Sequence, residues 1–251
     1  MKISEIYRFL DVTAPFESAE SWDNSGLIIG DLNADIKRAV VCLDVTDDVL
    51  MACEEKEASL IISHHPVIFG GIKSIASDSI YYSIIKKGIN VICAHTNLDK
   101  APGGVNDALC ECLGLSFEKV NDDYANGFLN IINVENAISC SDFARIVGNR
   151  LDTGVQFCDC KKSIKRIAVC SGAGSDFIND AMLLGCDAYL TGEASYHTFL
   201  DAYSSGISLF TAGHYETEIP FVSKLVKLLN NKFDSVEFYE APYKKTVLSV
   251  T

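Results

Sequence analysis

The chain alternates short apolar runs with stretches of helical spacing. GLIIG at 26–30 and IKRAVVCLD at 36–44 read as strands. TDDVLMACEEKEA at 46–58 follows with an Asp/Thr-rich start and apolar positions at helical intervals. Strand LIIS, a helix around Ile80–Lys87, strand NVICAH and helix GGVNDALCECLG complete the first half. The second half reads GFLNIINVE as strand, SDFARIVGNRL as helix, GVQF and IKRIAVC as strands and SDFINDAMLLG as helix. It continues with strand DAYLTG, a helix around Tyr196–Tyr203, strand ISLFTA, helix IPFVSKLVKLLNNKF and strand SVEFY. Short apolar strands separated by helices predict an α/β fold with much parallel pairing.

The pattern repeats. Ile36-Lys37-Arg38 opens a strand ending near Cys42, and Ile164-Lys165-Arg166 opens one ending near Cys170, an offset of 128. At that offset Ser63 falls on Thr191, each at the end of the next strand. GINVICAH ends at His95 and GISLFTAGH at His214, after one extra residue; an acid follows each histidine four positions on, Asp99 and Glu218. The repeated order predicts two related α/β lobes. The polar stretch KVNDDYANG at 119–127 marks the expected boundary, giving lobes of residues 1–122 and 123–251, with a C-terminal segment that can return to the first lobe.

Composition narrows the function classes. The 251 residues carry a formal net charge of −13, which argues against a nucleic-acid backbone as partner, since that needs clustered Lys and Arg. No run approaches the roughly 20 apolar residues of a membrane span. The N-terminus MKISEIYRFLDVTAP lacks the apolar core of a signal peptide and reads as a helix. Of ten cysteines, Cys42, Cys93 and Cys170 lie in strand-like runs, and Cys110/Cys112 and Cys158/Cys160 are C-x-C pairs, not the C-x2-C of zinc fingers. Such thiols predict a reducing compartment, the cytoplasm.

The chemistry gathers on five histidines: His64, His65, His95, His197 and His214. Four follow apolar runs, and open α/β sheets place ligand sites at the carboxyl ends of strands. In SHHP, Pro66 discourages further pairing, so His64 and His65 leave the sheet and can face one cavity; the plain alternative is an exposed turn. His95 and Asp99 share AHTNLD, where Asp99 can instead cap a turn. In GHYETE, His214 and Glu218 fall on one helical face, or Glu216 and Glu218 complement the helix dipole. Four imidazoles and two carboxylates exceed one tetrahedral site and suit two divalent ions (zinc, iron, manganese or cobalt) about 3.5–4 Å apart, with positions open to water.

These residues resemble the Nif-three-like dinuclear metal-centre family, whose bacterial members are often named GTP cyclohydrolase I type 2. The resemblance rests on WDNSGLIIGD at 22–31, SHHPVIFGG at 63–71, GINVICAHTNLD at 88–99, DAYLTGEASYH at 187–197 and GHYETE at 213–218. It implies His64, His65, Asp99, His214 and Glu218 as metal ligands, with Glu218 the bridge and His95 an extra ligand or proton-transfer group. It also implies a dinuclear site between two α/β lobes, and a ring-like hexamer.

The family's name implies a small-molecule substrate, GTP or another nucleotide, whose guanine imidazole ring opens with loss of formate. His95, Glu193 and His197 are the candidates for moving protons. Glu193 and His197 otherwise read as a pair at a helix start. CSGAGSD at 170–176 offers either backbone amides for phosphate or a plain strand-to-helix turn. Trp22 reads as core or as shaping the cavity. The competing function is a non-catalytic metal-binding regulator or scaffold; a nucleic-acid-processing metalloenzyme is disfavoured by the charge.

Overall fold

The computed structural model describes residues 1–121, 123–160 and 163–242. In chain order its strands are β1 Gly26–Ile29, β2 Arg38–Cys42, β3 Leu60–Ser63, β4 Asn90–Cys93, β5 Phe117–Lys119, β6 Asn130–Ile138, β7 Gln156–Phe157, β8 Ile164–Val169, β9 Ala188–Thr191, β10 Ser208–Thr211 and β11 Glu237–Glu240. They form a five-stranded sheet, ordered β1-β4-β3-β2-β11, and a six-stranded sheet, ordered β5-β6-β8-β9-β10-β7. Among the described residues no helix is long and apolar enough to cross a membrane.

The chain forms two compact units. Among the described residues, the first is Met1–Ala101 with residues 222–242; the second is Pro102–Phe221. The division thus falls after Ala101 and not at the expected residue 122, which itself lies outside the described residues. Sheet pairing gives the reason. β5 pairs antiparallel with β6, so the polar stretch between them only joins neighbouring strands. Leu109, Cys110 and Leu113, on the helix Val105–Leu113, are buried in the core of the second sheet. At the other end, β11 lies parallel to β2 in the first sheet.

The repeat is visible in topology. In the first sheet β2, β3 and β4 are parallel neighbours, and the preceding strand β1 runs antiparallel on the far side of β4. In the second, β8, β9 and β10 are parallel neighbours, and β7 runs antiparallel beside β10. These central strands are apolar nearly throughout because both faces of each sheet are covered. Val40, Ile61 and Val91 pack with helix residues Val49, Leu50, Cys53 and Ile84. In the second unit Ile167, Val169, Leu190 and Phe210 pack with Phe143 and Val147 of the helix Cys140–Leu151. Ser and Thr hydroxyls define several helix starts: Thr46, Ser79, Ser139 and Ser195 each accept a bond from a first-turn amide.

Candidate metal centre

Parallel strands align their carboxyl ends, and in the first unit that edge carries the histidines. His64 and His65 follow β3. Their backbone N–H groups donate to Cys42 O at 3.0 Å and Leu43 O at 2.9 Å, extending the β2–β3 register beyond the strands. That register sets Asp44 beside His65, and His65 Nδ1–H donates to Asp44 Oδ1 at 2.8 Å. His64 is buried, and its Nδ1–H donates to the Ala94 carbonyl at 3.0 Å.

His95 precedes the short helix Thr96–Lys100. Its backbone N–H donates to Asn97 Oδ1 at 3.0 Å, and its Nδ1–H donates to Asp23 Oδ1 at 2.8 Å. The other Asp23 oxygen accepts from the Thr96 amide and hydroxyl at 3.1 and 2.6 Å. Burial pushes the Asp23 carboxyl up, but the His95 and Thr96 hydrogen bonds and the His95 charge outweigh it. The result lies well below the usual carboxylate range. The three rings cluster, with centroids 4.9 Å apart for His64–His65, 5.1 Å for His64–His95 and 5.5 Å for His65–His95. A ring nitrogen from each lies within 4.8 Å of the others. Asp99, in the helix after His95, brings Oδ1 to 3.5 Å from His64 Nε2.

In the second unit the chain leaves β10 and enters the helix His214–Glu218. Four residues bring the two ends of that helix to one face. His214 Nε2 lies 3.1 Å from Glu218 Oε1, and its Nδ1–H donates to Glu193 Oε1 at 3.1 Å. Glu218 is buried, so it is no surface complement to the helix dipole. Gly172, at φ +60°, makes this possible: a Cβ there would collide with Glu218 Oε1 and stand 3.2 Å from His214 Nε2.

One rule runs through both clusters. Each of the four imidazoles gives Nδ1–H to an oxygen, from Ala94, Asp44, Asp23 or Glu193. Metal-bound histidines are held in the same way, by an oxygen at Nδ1 with Nε2 as the ligand atom. Two ligands on one ion, with bonds of about 2.1 Å at 90–110°, stand about 3.0–3.4 Å apart. The His214–Glu218 separation of 3.1 Å falls within that spacing, and the His64–Asp99 separation of 3.5 Å lies just beyond it. The donor set therefore fits divalent metals that accept nitrogen and oxygen.

Other expectations fare differently. Glu193 precedes the helix Tyr196–Ser205, so it forms no helix-start pair with His197 and instead orients His214. His197 is exposed on that helix, its ring against Tyr196, and joins neither cluster among the described residues. CSGAGSD is a plain turn: the Ser171, Gly172 and Gly174 amides donate to Asn106 Oδ1, Thr217 Oγ1 and Thr191 Oγ1 and cannot cradle phosphate. Trp22 is 56% exposed and not part of the core. The residues sequence reasoning missed are Asp23 and Asp44. A signal existed for Asp44: it stands two residues past β2, as His65 stands two past β3, and parallel register places them together.

A two-sheet α/β protein with oriented imidazoles and carboxylates at its strand ends is the class that fold and site define. The chain belongs to the Duf34/NIF3 (NGG1p interacting factor 3) family, whose model matches residues 1–246. It is 39% identical over 238 residues to a Campylobacter jejuni protein named GTP cyclohydrolase 1 type 2 homolog, covering 92% of this chain and 93% of the relative. A Helicobacter pylori protein named GTP cyclohydrolase 1 type 2 is 31% identical over 249 residues, covering 96% and 97%. A crystal structure of a Staphylococcus aureus hypothetical protein superposes with a TM-score of 0.93 at 29% identity, over 100% of this chain and 99% of that one.

Proposed function

We propose that these clusters hold two divalent metal ions and that the protein is a metal-dependent hydrolase acting on GTP or another nucleotide. In this reading His64, His65, Asp99, His214 and Glu218 are the ligands, with Glu218 shared between the ions. The observation that carries it is the common tether: each clustered imidazole is held by an oxygen at Nδ1, as metal-bound histidines are. The bound metals supply Lewis acidity and make water a nucleophile near neutral pH. The nucleotide is taken from the relatives' names.

The remaining roles fall to the chain's own residues. His95 moves protons at Nε2, because Asp23 behind it holds Nδ1 and fixes the ring. Glu193 and Asp44 orient His214 and His65. The His214 side chain is 35% exposed and that of His65 23%, which leaves water and substrate a way in and favours a hydrolase over a closed metal store. Hydrolysis of the guanine imidazole ring would release its C8 carbon as formate. The ten free thiols suit a reducing cytoplasm.

The test is formate release from GTP by metal-loaded protein. Loss of activity in both His64→Ala and Glu218→Ala supports the reading. Bound metal with no turnover of any nucleotide in a panel would leave the regulator or scaffold instead.

A further inference from the structure

Two motifs carry aromatic side chains that the metal chemistry does not use. Trp22 opens WDNSG, and Phe69 follows the histidine pair in SHHPVIFGG. Their rings lie 5.8 Å apart, tilted by 34°, and each ring centroid is 6.3 Å from that of His95. Both stand steeply on the His95 ring, at 77° and 73°. Each residue is 56% exposed.

A single surface aromatic needs no explanation. Two adjacent ones, from segments 47 residues apart and at the rim of three histidines, are a constructed feature. Asn24 Nδ2 donates to Ile68 O at 2.6 Å and ties the segment two residues after Trp22 to the residue before Phe69. Asp23 and Ser25 anchor the same segment to His95 and Asn97. Beyond Phe69, a Cβ on Gly70 or Gly71 would meet nothing within 4 Å, so the chain next to Phe69 borders open space.

We propose that Trp22 and Phe69 form a stacking wall that binds a planar purine ring next to His95. The choice of a purine rests on the hydrolase reading above; the wall rests on the geometry. Aromatic faces bind bases through stacking and exclusion of water, with little demand for hydrogen bonds, and alanine substitution at such sites costs about 1–3 kcal/mol per base. Here the wall would also hold the ring within reach of the group that moves protons.

Trp22 is the sole tryptophan, so its emission reports on the site directly. Metal-loaded full-length protein is titrated with guanosine, GTP and inorganic tripolyphosphate. Guanosine and GTP should quench or shift the emission while tripolyphosphate leaves it unchanged. Phe69→Leu should raise the guanosine Kd at least about 5-fold with the melting temperature unchanged; equilibrium dialysis of Trp22→Leu should show a similar loss. The proposal fails if guanosine has no effect, if tripolyphosphate acts equally, or if the Kd survives both substitutions. It also fails if emission changes only with protein concentration, which would mark the surface as a contact between copies. The two readings separate in the formate assay. Formate release with no guanosine response sinks the wall and leaves the hydrolase; guanosine binding with no turnover of any nucleotide in the panel keeps the wall and sinks the hydrolase.

Discussion

His95 and Asp23 form a carboxylate–imidazole pair at 2.8 Å in which the Asp23 side chain is wholly shielded from solvent and the His95 side chain is 16% exposed. The carboxylate fixes the ring's orientation and its tautomer. Asp23→Asn keeps the shape and removes the charge. We expect metal affinity or turnover to fall about 10–100-fold, as for loss of other groups that orient such histidines. Chelator competition and formate release check this; wild-type values for both would contradict the assigned role.

The same pair makes an acid-stability prediction. Its hydrogen bonds hold Asp23 well below the carboxylate reference of 3.8, despite burial. Between the two values the unfolded chain binds the proton and the folded one does not. The stabilisation is therefore present above the reference value and is lost as pH falls below it. Melting temperatures of metal-free protein should fall on acidification below about pH 4, and Asp23→Asn should flatten that limb.

Gly172 provides a sharper test of the second cluster. Gly172→Ala places a methyl group against Glu218 Oε1. Gly185→Ala is the control, because φ there is +70° but a Cβ meets nothing within 4 Å. Both should lose about 1 kcal/mol from backbone strain, or roughly 2–4 °C of melting temperature. Only Gly172→Ala should also lose bound metal, read by elemental analysis. Equal metal content in the two variants would show that the cluster does not depend on this close approach.

The thiols predict a reactivity pattern. Cys42, Cys53, Cys93, Cys110, Cys140 and Cys170 are buried, and the other four are partly exposed. Burial pushes Cys53 and Cys110 up to about 12. At pH 8 a thiol reagent should modify at most the four partly exposed cysteines, with the rest reacting only after denaturation. In the unfolded chain thiols ionise near about 8.5. The stabilisation is thus present below that value and lost as pH rises towards 12, so melts should weaken through the alkaline range.

Much of the site was legible because histidine is rare here and its positions follow strands. His64, His65, His95 and His214 stand out from sequence for that reason, and the acids four residues beyond His95 and His214 stand out with them. The groups that orient the rings were not legible. Asp23 lies 72 residues from His95, and Asp44 and Glu193 each lie 21 residues from their partners. Aspartate and glutamate are common, and only the strand register singles these out. The fold shows the same limit. The repeat of strands was readable, whereas the boundary was displaced because a polar connection between two paired strands looks like a linker. For Trp22 the sequence left core and cavity rim open, because size and hydrophobicity favour burial; the side chain is 56% exposed.

The proposed function requires that the Nε2 atoms and carboxylates of the two clusters bind two cations. Anomalous scattering from crystals of metal-loaded protein tests it most directly. The account predicts two peaks per chain, bonded to His64, His65 and His214 through Nε2 and to the Asp99 and Glu218 carboxylates. Peaks elsewhere, coordination through Nδ1, or no peak in protein shown to carry metal would contradict it.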